Sequence, residues 1–123
     1  MAEQAWSAAG QGYMTSPVLV DGHAYFFTRG NRLTCIDTES GETRWTSPPT
    51  GDDYWSLVAH DGRILALTNS GRLLLIEANP DEFAVISEAE VVDGETWAHL
   101  GVTSERLWIR SLDALYCLRW SQS

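Results

Sequence analysis

Two short stretches concentrate the side chains that could do chemistry: Gly51-Asp52-Asp53-Tyr54-Trp55 and Asp93-Gly94-Glu95-Thr96-Trp97. Each sets carboxylates beside a tryptophan. That pairing suits a cation, a basic peptide segment or a sugar, because the acids attract charge and the indole offers a face for stacking. Tyr13, in Gln11-Gly12-Tyr13, adds an aromatic of the same kind. The candidate binding residues are therefore Tyr13, Asp52, Asp53, Tyr54, Trp55, Glu95 and Trp97. No catalytic residue is assigned: no Gly-x-Ser-x-Gly elbow occurs, and His60 and His99 fall in predicted strands outside any catalytic motif. No metal site is expected, since Cys35 and Cys117 are too widely separated for clustered ligands. Both cysteines read as buried apolar residues.

Charge narrows the partners. The net charge is −9, from 17 acids against eight arginines and no lysine. A phosphate backbone would meet net repulsion, so nucleic acid is disfavoured, while a basic protein partner suits the acidic surface. The chain lacks an apolar run long enough to span a bilayer, and Met1-Ala2-Glu3-Gln4-Ala5-Trp6 has neither the basic nor the apolar region of a secretory signal. The expectation is a soluble, cytoplasmic domain without membrane contact.

The elements that must position these residues come from a repeat. Ser16-Pro17-Val18-Leu19-Val20-Asp21-Gly22 and the strand after it lie over Ser56-Leu57-Val58-Ala59-His60-Asp61-Gly62 at an offset of 40, which also carries Arg32-Leu33 onto Arg72-Leu73. Trp6 falls on Trp45 at offset 39. A third, diverged copy runs from Trp97 to Leu118, with Leu115 on Leu73 and Trp108 in the place of Leu65. Each copy reads as short strands, Pro17 to Val20, His23 to Thr28, Leu33 to Ile36 and Thr43 to Thr46 in the first, with Asp-Gly as a type I′ hairpin turn. Four antiparallel strands in about 40 residues form a β-propeller blade. The fold expected is all-β, with repeat units near 8–47, 48–89 and 90–120 and an extra N-terminal strand at 3–7. Tyr25, Phe26 and Phe27 are assigned to the core between blades.

Cys35-Ile36-Asp37-Thr38-Glu39-Ser40-Gly41-Glu42-Thr43-Arg44-Trp45 resembles the tryptophan-docking motif of the pyrroloquinoline quinone (PQQ)-like propeller repeats, Ala-x-Asp-x-x-Thr-Gly-x-x-x-Trp. Cys35 and Ser40 replace the usual Ala and Thr. The resemblance implies structural docking roles for Trp6, Asp37, Gly41 and Trp45, with each Trp packed between blades. The second copy departs from the pattern at Asn79-Pro80 and at Val85, which stands in the Trp position. Redox activity is not carried over, because a PQQ-dependent enzyme needs a full ring, a calcium site and usually a vicinal cysteine pair. No cofactor is expected.

Three blade equivalents are fewer than the roughly 4–8 of known propellers. Two arrangements would close the ring: a two-fold dimer of six blades, in which each N-terminal strand completes the partner's third blade, or a larger propeller with blades from other chain. The dimer is the favoured expectation. Function should sit on the loops entering each first strand, with Arg29-Gly30-Asn31 and Asn69-Ser70 beside them. On that face Trp55 and Trp97 could stack on a ligand, or could pack at the mouth of a channel while the acids remain solvated turn residues. The reading preferred is a non-enzymatic module for protein binding and assembly. A lectin-like saccharide site and a piece of a larger enzyme or sensor are the alternatives.

Overall fold

Alternating apolar and polar side chains, interrupted by Asp-Gly and other glycine turns, favour short antiparallel hairpins. The computed structural model describes residues 2–7, 16–28, 30–96 and 99–119, and the regular elements among them are strands, with no helix. The first sheet runs β1 (Val18–Val20), β2 (His23–Thr28), β3 (Arg32–Asp37) and β4 (Thr43–Thr46) in order. The second runs β5 (Trp55–His60), β6 (Arg63–Thr68), β7 (Arg72–Glu77) and β8 (Ala84–Glu90), and the third β9 (Gly101–Val102), β10 (Arg106–Arg110) and β11 (Leu115–Arg119). Neighbours pair antiparallel in each, so the sheets are two four-stranded propeller blades and a three-stranded one. Asp21 and Asp61 adopt φ of 46° and 50°, followed by Gly22 at 78° and Gly62 at 72°. This pair of positive angles is what the tight hairpin between first and second strands requires.

The core lies between blades. Tyr25, Phe27, Leu33 and Cys35 of the first pack on Trp55, Leu57, Ile64, Ala66, Leu74 and Ile76 of the second. Leu65 and Leu67 pack on Leu100, Leu107 and Ile109 of the third, with Leu73, Leu75, Tyr116 and Leu118 at the margin. Phe26, which alternates with Tyr25 and Phe27, faces the other way and is only half-buried. Burial first, and the neighbouring Cys35 thiol second, push the Tyr25 phenol far above its usual ionisation range. Cys35 is buried as expected, but Cys117 is exposed. The reason is positional: Cys117 lies on the face of β11 directed away from the second blade.

A tryptophan links the first two blades, and a second binds the first blade from the N-terminal segment. Trp45, on β4, donates its indole Nε1–H to the Asn79 carbonyl at 2.7 Å and packs against Tyr25 and Phe83 with ring centroids 6.0 and 5.7 Å away. Trp6 repeats the bond one blade earlier, from Nε1 to the Thr38 carbonyl at 2.6 Å. Asp37 Oδ1 accepts the Glu39 and Ser40 amides at 2.8 and 3.1 Å, shaping the turn that receives Trp6 and lowering its own pKa. Gly41 closes that turn at φ +78°, and a Cβ there would lie 2.7 Å from the Trp6 ring. Gly41→Ala should therefore destabilise the fold by about 1–3 kcal/mol, the range for a side chain forced into left-handed backbone. A thermal melt checks this, and an unchanged midpoint would remove Gly41 from the docking role.

Two further local expectations differ from the structure. Residues 2–7 are not in a strand, although Trp6 docks; what they have here is a turn to rest on and no ladder partner. In the third blade β9 is only Gly101–Val102, so His99 precedes the strand, while His60 ends β5 exposed beside Asp61 Oδ2 at 3.1 Å. Neither histidine is packed in a core.

Candidate loop-face site

The segment entering β5, the turn between β6 and β7, and the segment 91–96 meet at one end of the second blade. Asn69 joins all three. Its Oδ1 accepts the amides of Asp53 and Tyr54 at 2.9 and 3.1 Å, its own amide donates to the Tyr54 carbonyl at 2.8 Å, and its carbonyl accepts the Thr96 amide at 3.0 Å. Thr96, fully buried, also donates its hydroxyl to the Thr68 carbonyl at 2.5 Å. Gly71 brings segment 91–96 close: its carbonyl accepts the Val91 and Val92 amides, and a Cβ at Gly71 would lie 2.1 Å from the Val92 oxygen. The first blade uses Thr50 in the same way, its amide and hydroxyl both donating to the Asn31 carbonyl at 2.8 and 2.9 Å.

Beneath this surface lies a buried acid. Asp52 is 6% exposed. Its Oδ2 accepts the Trp55 indole N–H at 3.2 Å and an Arg72 guanidinium N–H at 2.8 Å, and its Oδ1 accepts the Ser70 hydroxyl at 2.9 Å. Thr68 Oγ1 completes the set, lying 2.9 Å from Ser70 Oγ and accepting the Arg72 amide. Arg72 reaches outward as well, to Glu88 at 3.1 Å. A buried carboxylate with this many donors is satisfied internally, which fixes the loop rather than leaving it reactive.

These contacts decide what each candidate side chain can offer. Trp55 is 1% exposed, and its ring stacks on Phe27 at 5.0 Å and 18°. The stacking face proposed for a ligand is thus covered by the first blade. Tyr54 is also buried, and burial raises its phenol pKa. Asp53 and Glu95 remain exposed on the surface. Tyr13 and Trp97 lie outside the described residues. Asp52 differs from the picture of solvated turn acids for a reason no local pattern carries, the approach of Arg72 from 20 positions away. Arg72, Ser70 and Thr96 were not among the candidates; the repeat of Arg32 at Arg72 was the available signal, and Arg32 likewise reaches its entry loop, donating to the Ser47 carbonyl at 3.1 Å.

Among the described residues no cluster of three or more His, Cys, Asp or Glu side chains is placed to hold a metal ion, and no helix is long and apolar enough to cross a membrane.

The blade geometry has solved counterparts. The chain is similar to the computationally designed Ika8 protein, with a TM-score of 0.63 at 7% identity over 85% of this chain and 32% of that one. It is also similar to the quinohemoprotein alcohol dehydrogenase ADHIIG from Pseudomonas putida HK5, with a TM-score of 0.64 at 17% identity over 83% of this chain and 17% of that one. The quinohemoprotein alcohol dehydrogenase from Comamonas testosteroni gives 0.60 at 20% identity, over 81% and 17%. The chain therefore spans between 17% and 32% of the length of these proteins. At such identities the likeness establishes the fold, an all-β propeller architecture. The sequence matches no protein-family model and no curated protein.

Proposed function

We propose that the chain is a PQQ-like propeller segment acting non-enzymatically, as a cytoplasmic module that holds its loop face rigid for a basic protein partner. The observation that carries this reading is the combination at that face: Asp53 and Glu95 are exposed, while the backbone beneath them is tied down by Asn69 and by the ion pair of buried Asp52 with partly exposed Arg72. Rigid loops lose little conformational entropy on association, and exposed acids speed encounter with a positively charged partner. A saccharide site of the kind built on an open tryptophan draws no support from Trp55, whose face is occupied.

An arginine-rich peptide carrying a fluorescent label serves as the probe. Binding should weaken markedly between about 0.01 M salt, where charges act over about 30 Å, and about 0.15 M, where they act over about 8 Å. The double variant Asp53→Asn, Glu95→Gln should bind more weakly at low salt while melting as the parent does. Salt-independent binding, or full binding by the double variant, would sink the reading.

A further inference from the structure

A propeller blade packs on a neighbour through each of its two faces, and among the described residues one face of the first blade and one of the third stand without a neighbouring blade, while the third blade has three strands where the others have four. On the third blade, register places Arg106 opposite Arg119, Trp108 opposite Cys117 and Arg110 opposite Leu115, so these six share the face turned away from the second blade. Leu115 is 67% exposed and Cys117 is exposed. The repeat gives this face its meaning. Trp108, Leu115 and Cys117 occupy the places that Tyr25, Leu33 and Cys35 fill where the first blade meets the second, and that Leu65, Leu73 and Leu75 fill where the second meets the third. On the first blade the unpartnered side carries Leu19, 70% exposed, with Ala24 and Phe26 half-buried. Those positions correspond to Ala59, Ile64 and Ala66, the residues that receive the first blade at the closed junction.

The strand edge tells the same story. Among the described residues β11 has one hydrogen-bonded neighbour, β10. In the first blade Cys35 pairs with Trp45 and Thr34 with Thr46. Carried along the repeat, that register sets Cys117 opposite a Trp6 and Tyr116 opposite a Ser7. Trp6 is already docked on its own first blade through the Thr38 carbonyl, so its segment stands at the margin where a preceding blade belongs.

We infer that the third blade is completed by a second copy of this chain: residues 3–7 of each copy add a fourth strand to β11 of the other, with Trp6 opposite Cys117, and the face bearing Trp108, Leu115 and Cys117 packs on Leu19, Ala24 and Phe26 of that copy. Applied twice about a two-fold axis, the contact closes a ring of six blades and gives every blade a fourth strand.

The test requires the unmodified chain and one variant. Light scattering should give twice the 13.7 kDa chain mass, and Cys117 should react with a thiol reagent roughly tenfold or more slowly at concentrations where the mass is doubled, each tenfold corresponding to about 1.4 kcal/mol of association. Leu115→Glu alters a side chain exposed in the single chain, so it should keep the parent's circular dichroism while halving the mass and restoring thiol reactivity. A single-chain mass for the parent would overturn the inference, whether other polypeptide supplies the missing blades or none does. A doubled mass with Cys117 freely reactive, or a Leu115→Glu chain that stays doubled, would place the association on a different surface and overturn it equally.

Discussion

Replacing Trp55 by alanine is expected to lower the stability of the chain by about 3–5 kcal/mol, the cost of removing a large buried aromatic side chain. The ring is 1% exposed and stacked on Phe27, and its N–H holds Asp52 Oδ2, so the substitution opens a cavity between blades and leaves the acid short of a donor. Since single domains carry only about 5–15 kcal/mol, a loss of this size should be visible as a lowered melting temperature and a shift of the denaturant midpoint. Trp55→Phe keeps most of the packing and should recover more than half of the loss. A Trp55→Ala chain with parental stability would return Trp55 to the surface as a contact residue and remove it from the core.

Asp52→Ala should cost about 2–4 kcal/mol. Breaking a fully buried ion pair costs about 3–5 kcal/mol, and the value is discounted here because the Arg72 side chain is 36% exposed and keeps Glu88 as a second partner. The Trp55 N–H and the Ser70 hydroxyl lose their acceptor as well. Asp52→Asn retains an acceptor oxygen and should lose less. The double variant Asp52→Ala, Arg72→Met should be more stable than Asp52→Ala alone, because it removes the stranded cation. Denaturant titration of Asp52→Ala, Arg72→Met and the double variant checks the coupling; strictly additive losses would show that the pair does not act together.

What was legible in the sequence was local or periodic. Asp21-Gly22 and Asp61-Gly62 announce hairpins because only a few residue types tolerate two successive positive φ angles, and the structure has them there. Gly41 and Trp45 stand at the spacing of the motif and Trp6 falls on Trp45 along the repeat, and the two indoles donate to the Thr38 and Asn79 carbonyls. The candidate site was less readable. Asp52 and Asp53 are neighbours of identical type, yet one is buried and the other exposed, a distinction made by Arg72 and Ser70 from the far side of a hairpin. Cys35 and Cys117 occupy equivalent places in the repeat but differ in exposure, because burial at that place depends on whether another blade stands against it.

The docking indoles give the molecule an uneven set of joints. Between the first and second blades the loop end is tied by Thr50 to Asn31 and the opposite end by Trp45 to Asn79, so the joint is fastened at both ends. Between the second and third, Thr96 and Val92 tie the loop end, but Val85 stands where the next indole would be. That joint is fastened at its loop end and held elsewhere by side-chain packing. The third blade is thus hung like a door on the hinge of the loop face. Motion at that joint would turn the third blade while leaving the first two blades, and the loops they display, undisturbed.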